Sequence, residues 1–161
     1  MLPQEIVALE QADRARFESM EKHHDKYYIE GFKHRHDNRL FLCGAGNMSF
    51  SVGYDGTFRL CSSLWAPETT VNLRQVSLRQ AWEELVPAVR ELHTDDQVYL
   101  EECAKCPIVN LCMNCPAHAH LELGRMDAVV PYFCQVAHAR AAALQAGVKQ
   151  PGDQPSNLFR E

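Results

Sequence analysis

The sequence predicts a small α+β fold, with one β-hairpin and several short helices arranged around metal centres. Three observations carry that reading. In the stretch "MSFSVGYDGTFRLC", apolar and polar residues alternate on both sides of Asp55-Gly56, the pattern of strand, turn and strand. On either side of it, apolar residues recur at helical spacing, and proline and glycine punctuate the segments. Four of the seven cysteines then crowd into "CAKCPIVNLCMNC", positions 103–115. Such density belongs to a metal-organised domain rather than to an ordinary apolar core.

Residues 4–28 predict a helix, with Ile6, Leu9, Ala12, Ala15, Phe17 and Met20 near helical period. Pro3 suits its first turn and Gly31 its end. The polar run that follows carries His23, His24, His34 and His36 without ligand spacing, and reads as a solvated face or linker. In the hairpin, Phe50 and Val52 lie before the turn and Phe58 and Leu60 after it. Cys43 precedes the hairpin and Cys61 closes it, so the fold should bring the two to one side. Gly44 and Gly46, in "CGAGN", should let the backbone pass close to a metal group. Ser77 and Gln80 form a candidate capping box. It opens a stripe of Leu78, Ala81, Trp82, Leu85, Val86, Val89 and Leu92, with Trp82 expected in the core and a kink or break expected at Pro87. After the cysteine cluster, Pro116 should start a helix ending at Gly124. Pro131 should start another that runs through Cys134 to about Gln145 and stops at Gly147.

Residues 1–36 thus form a helical segment or linker, 37–146 the cluster-binding domain, and 147–161 a disordered tail rich in Pro, Gly and polar residues. The net charge of −5 argues against a nucleic-acid partner, which would meet a basic face. No run is long enough to span a membrane, and the N-terminus has acidic residues where a signal peptide would be basic and apolar. A cytoplasmic location is therefore expected. In that compartment dense cysteine is metal-binding or catalytic more often than disulfide-bonded.

Two metals suit the spacing. A Zn²⁺ ion needs four ligands in a tetrahedron, which Cys103, Cys106, Cys112 and Cys115 would supply. Cys43, Cys61 and Cys134 would then complete a second zinc site with His118, or with His120 or His138 in its place. The short loop between the two Cys-x2-Cys pairs is tighter than zinc ribbons use. A cubane iron–sulfur cluster takes one thiolate at each of four irons, so its ligands need not meet at one atom. Pro107 and Pro116 follow Cys106 and Cys115 as proline follows the closing cysteine of bacterial ferredoxin motifs.

The whole pattern resembles the SPASM domain, the auxiliary cluster region of radical S-adenosylmethionine peptide-modifying enzymes. Cys43, twelve residues, Gly56, four residues and Cys61 match its first part. Cys103, Cys106 and Cys112 match Cys-x2-Cys-x5-Cys in register, and Cys134 matches the last cysteine. Cys115 departs from it, following Cys112 by x2 where the family has x3. The resemblance covers residues 37–140.

It implies two [4Fe-4S] clusters. Cys43, Cys61 and Cys115 would hold one; Cys103, Cys106, Cys112 and Cys134 would hold the other. Some relatives have a further cysteine at the position of Asp37. A carboxylate there would be a hard oxygen donor to iron, with His34 or His36 as substitutes and an open iron as the other alternative. If the clusters are iron–sulfur, His118, His120 and His138 read as ordinary helix histidines. The family's catalytic Cys-x3-Cys-x2-Cys motif does not occur in this sequence. The resemblance therefore implies an electron-transfer and substrate-placing module, not catalytic alone. Its partners would be a separate radical enzyme domain or subunit and a peptide or protein substrate. The chain would then be the C-terminal part of a split or truncated peptide maturase, an excised domain or a stand-alone cluster protein. The zinc alternative implies a protein-interaction domain.

Overall fold

The computed structural model describes residues 1–23, 38–112 and 115–147. The fold is α+β, a small antiparallel sheet with helices before and after it. The N-terminal helical segment is broken in two, α1 (Pro3–Ala12) and α2 (Arg14–Lys22). Asp13 is the reason. Its carboxylate accepts the Arg16 N–H at 3.1 Å, capping α2 and ending one helix where the next begins. The expected continuation from residue 24 to 28, and the stop at Gly31, lie outside the described residues. So do His24, His34, His36 and all of the tail beyond Gly147.

The hairpin forms as its alternation predicts. β1 (Ser51–Val52) pairs with β2 (Thr57–Arg59), Val52 opposite Phe58. Asp55 holds the turn by accepting from the Thr57 N–H and hydroxyl at 3.0 and 2.7 Å. A third strand, β3 (Val71–Asn72), joins the other edge of β2 antiparallel, so the two-stranded hairpin is in fact part of a three-stranded sheet. Val71-Asn72 is too short to announce itself by alternation.

Helix α3 runs continuously from Leu78 to Arg90 as Leu78–Gln80, a π-helical turn Ala81–Leu85, and Val86–Arg90. Pro87 does not break it. In the π turn the Val86 N–H reaches back five residues to the Ala81 carbonyl, and this wider ladder comes just where proline removes the next donor. The inserted residue also divides the apolar stripe. Ala81, Val86 and Val89 are buried, whereas Leu78 and Trp82 are left partly exposed. Trp82 is thus a surface residue, meeting Phe50 edge-on at 5.9 Å between ring centroids.

The last two helices follow their proline and glycine punctuation: α4 (Pro116–Leu123), closed by Gly124, and α5 (Pro131–Gly147). Two apolar clusters organise these elements. The first gathers Phe58, Leu60, Leu64, Val86, Val89 and Tyr99 between the sheet and α3. The second gathers Ile108, Leu111, Ala137, Ala141 and Leu144, with Phe17 and Met20 of α2 packed against it. Gly46 serves the first. Its φ is +75°, and a Cβ there would lie 3.0 Å from Leu60 and Val86 side-chain atoms. The left-handed backbone and the core packing around it both call for glycine here. Among the described residues, no helix is long and apolar enough to cross a membrane.

Candidate metal centre

Each cysteine is set in place by a local backbone device. Cys43 sits in the loop before the sheet, exposed. Residues 38–40 pair with 92–94, through Leu40 N–H to the Leu92 carbonyl at 2.8 Å and Thr94 N–H to the Asn38 carbonyl at 3.0 Å. This brings the Cys43 loop to the end of α3, where the Arg90 guanidinium donates to the carbonyls of Cys43 and Ala45 at 2.9 and 2.6 Å. Cys61 follows β2 in a turn closed by Leu64 N–H to the Cys61 carbonyl at 3.2 Å. Cys115 is the N-cap of α4, its Sγ accepting the His118 N–H at 3.3 Å.

Cys103 ends a π-helical turn, Tyr99–Cys103, and is buried. The turn is anchored at its start by Asp96, whose carboxylate accepts the Tyr99 N–H at 2.8 Å and pairs with Arg125 at 2.7 Å. From there the chain advances in consecutive turns. Cys106 N–H meets the Cys103 carbonyl at 3.2 Å, Val109 N–H meets Cys106 at 3.4 Å, and Cys112 N–H meets Val109 at 3.0 Å. Cys134 lies in the first turn of α5.

The thiols sort into two neighbourhoods. Burial pushes the Cys115 thiol above the usual thiol range. Hydrogen bonds from the His118 and Ala117 amides oppose this, and the neighbouring Cys61 and Cys43 thiols push it up further. Burial also raises Cys134, followed by the proximity of Cys106 and Glu102. Cys115 thus feels Cys61 and Cys43 across long stretches of chain, and Cys134 feels Cys106. Packing agrees in large part: Cys61 and Cys115 lie against the first apolar cluster, Cys106 and Cys112 against the second. Cys103 is buried in the first cluster, so Cys103-x2-Cys106 crosses from one to the other.

All seven thiols are free of disulfides. Among the described residues, no three His, Cys, Asp or Glu side chains close around a single ion. The donor set fits iron–sulfur ligation. It consists of soft thiols brought from several elements, and thiolate sulfur is the ligand such clusters take. Asp37, the candidate eighth ligand, lies outside the described residues together with His34 and His36. Of the other histidines, His118 packs edge-on to Phe133 at 6.3 Å between centroids, and His138 is exposed on α5. The Nδ1 of His120 is buried and has no hydrogen-bond partner among the described residues.

Two residues escape a reading by pattern. Arg59 is only 5% exposed, with its guanidinium 3.6 Å over the Trp65 ring and its Nε and Nη1 buried without partners among the described residues. Its signal is an arginine at the end of β2 between Phe58 and Leu60, both of which are buried. Glu10 on α1 is 8% exposed and meets Arg140 of α5 in a two-pronged pair at 2.7 and 2.9 Å. No protein-family model, curated protein or solved structure matches this chain.

Proposed function

We propose that the chain is an auxiliary iron–sulfur module that works beside a separate radical S-adenosylmethionine enzyme. It passes electrons and helps to place the peptide or protein being modified. The observation that carries this reading is the sorting of the thiols, Cys115 with Cys61 and Cys43, and Cys134 with Cys106. The SPASM pattern groups the same residues in the same way. A zinc site of Cys103, Cys106, Cys112 and Cys115 would instead draw Cys115 toward its own Cys-x2-Cys pair.

In this reading Cys43, Cys61 and Cys115 hold one [4Fe-4S] cluster, with Asp37 as its fourth ligand or one iron open. Cys103, Cys106, Cys112 and Cys134 hold the other. Bound clusters supply one-electron transfer. The chain's own residues set the conditions for it. Arg90 fixes the Cys43 loop, the His118 amide donates to the Cys115 sulfur, and the apolar walls around Cys103 and Cys115 limit water. The density of cysteine supports a reducing cytoplasm as the location. With no Cys-x3-Cys-x2-Cys motif in the sequence, S-adenosylmethionine cleavage is assigned to the partner.

Iron, acid-labile sulfide and zinc content after anaerobic purification tests the reading. About eight irons and eight sulfides per chain are expected for two [4Fe-4S] clusters. Two zincs without sulfide would replace it with a zinc-stabilised interaction domain.

A further inference from the structure

A cavity of about 370 Å³ opens where α2, the turn Val109–Leu111 and α5 meet, a size that small organic ligands occupy. Arg16, Ser19 and Met20 line one wall. They are spaced i, i+3 and i+4, so α2 presents all three from one face. Arg140, Asn110 and Cys112 line the others. No acidic side chain lines the cavity among the described residues.

Charge decides what such a cavity takes. Arg140 commits three of its five N–H groups: Nε and Nη2 bind Glu10, and Nη1 donates to the Leu111 carbonyl at 3.0 Å. Arg16 reaches the same carboxylate through Nη2 alone, at 3.1 Å. Two guanidiniums share one carboxylate, which leaves one positive charge on the group, and Arg16 is the less engaged and more exposed of the two. That side chain is 57% exposed, whereas Glu10 is 9% exposed, so the surplus charge faces the cavity and solvent rather than the interior. A planar fork beside a hydroxyl suits a carboxylate, and Met20 offers an apolar wall to the carbon next to it.

We propose that this cavity is a binding site for a carboxylate, held by Arg16 and Ser19. Its charge comes from Arg16, Arg140 and Glu10, but one wall, Cys112, is also a ligand in the metal reading above. A negatively charged group on Cys112 would draw on the same surplus, so the affinity should be weak, in the millimolar range. The carboxylate has two sources, a free small acid or the C-terminal end of a peptide, and the probes separate them.

The test is calorimetric titration of the purified full chain with propionate, with the tetrapeptide Gly-Ser-Gly-Leu, and with the same peptide as its C-terminal amide. Metal content is measured on the same samples, so a failure of the metal reading is seen separately. Binding of the free-acid peptide with no binding of the amide is expected. Propionate binding equally well identifies a small acid as the source; peptide binding alone identifies a chain end. Arg16→Gln should weaken binding about tenfold, and Ser19→Ala about threefold, the range for one charge-assisted and one neutral hydrogen bond. Arg16→Gln leaves the Glu10–Arg140 pair in place, and an unchanged melting curve will verify its fold. Arg16→Lys should recover part of the affinity. Equal binding of acid and amide, or unchanged affinity in a folded Arg16→Gln, overturns the site. Inorganic phosphate binding as tightly as the peptide acid overturns its carboxylate class.

Discussion

At Gly46 the backbone turns through a left-handed conformation with Leu60 and Val86 against it, and at Arg90 one guanidinium holds two carbonyls of the neighbouring loop. Arg90 holds the Cys43 loop, while Gly46 is fixed by the packing of Leu60 and Val86. Gly46→Ala adds a methyl where φ is +75° and side chains already stand at 3.0 Å. It should destabilise the fold by about 2 kcal/mol, read as a lower urea midpoint with an unchanged slope. Arg90→Ala removes both carbonyl contacts, and on the two-cluster proposal it should lower bound iron toward about half, one cluster of two. The far-ultraviolet spectrum should stay that of the parent, and full iron retention would count against Arg90 as the holder of the loop. The placing of Cys43 before the hairpin and Cys61 at its far end was legible in the sequence, because the alternation on either side of Asp55-Gly56 marks the turn between them. The reason for Gly46 was not. Its constraint comes from Val86, a residue of another element, and no local window contains both.

Helix α3 is the element in which pattern and structure differ most instructively. Its start was legible: Ser77 Oγ accepts the Gln80 N–H at 3.1 Å. The Gln80 side-chain amide reaches forward to Glu84 at 3.3 Å. Ser77→Ala should therefore cost about 1 kcal/mol, the usual loss of a serine cap, measurable as a lower melting temperature. The exposure of Trp82 was not legible, because the stripe assumes a 3.6-residue period and the π turn Ala81–Leu85 breaks that period. The same applies to α1 and α2. A continuous apolar rhythm conceals the cap at Asp13, and the buried positions turn out to be Pro3, Val7 and Glu10 rather than Ile6 and Leu9. By contrast, Pro116, Gly124 and Pro131 gave α4 and the start of α5 directly, because proline and glycine act on the backbone whatever surrounds them.

Across the whole molecule, the two ends of the chain are joined by charge. Glu10 and Arg140 are 130 residues apart and pair inside the second half of the fold, beside the turn that leads to Cys112. Burial works to raise the Glu10 carboxyl, but the hydrogen bonds and charges of Arg140, and then of Arg16, outweigh it and hold it below the usual carboxylate range. A carboxyl depressed in the native state stabilises that state above its unfolded value. The contribution is lost as pH falls from about 4.3, the ordinary glutamate value, through the lower native one. Glu10→Gln should thus be less stable than the parent at neutral pH, with the gap closing in acid. Glu10→Ala, which leaves Arg140 without its partner, should lose about 3 kcal/mol by denaturant titration. Thermal melts of parent and Glu10→Gln across that pH range check the sign. The pair also means that residues 1–23 are held to the rest by contacts as well as by the covalent backbone, with the Tyr132 hydroxyl on the Met1 carbonyl at 2.9 Å adding a second tie. Expressed as a separate peptide, this stretch should recognise its complement: two fragments, 1–23 and 38–161, would reassemble in trans when mixed.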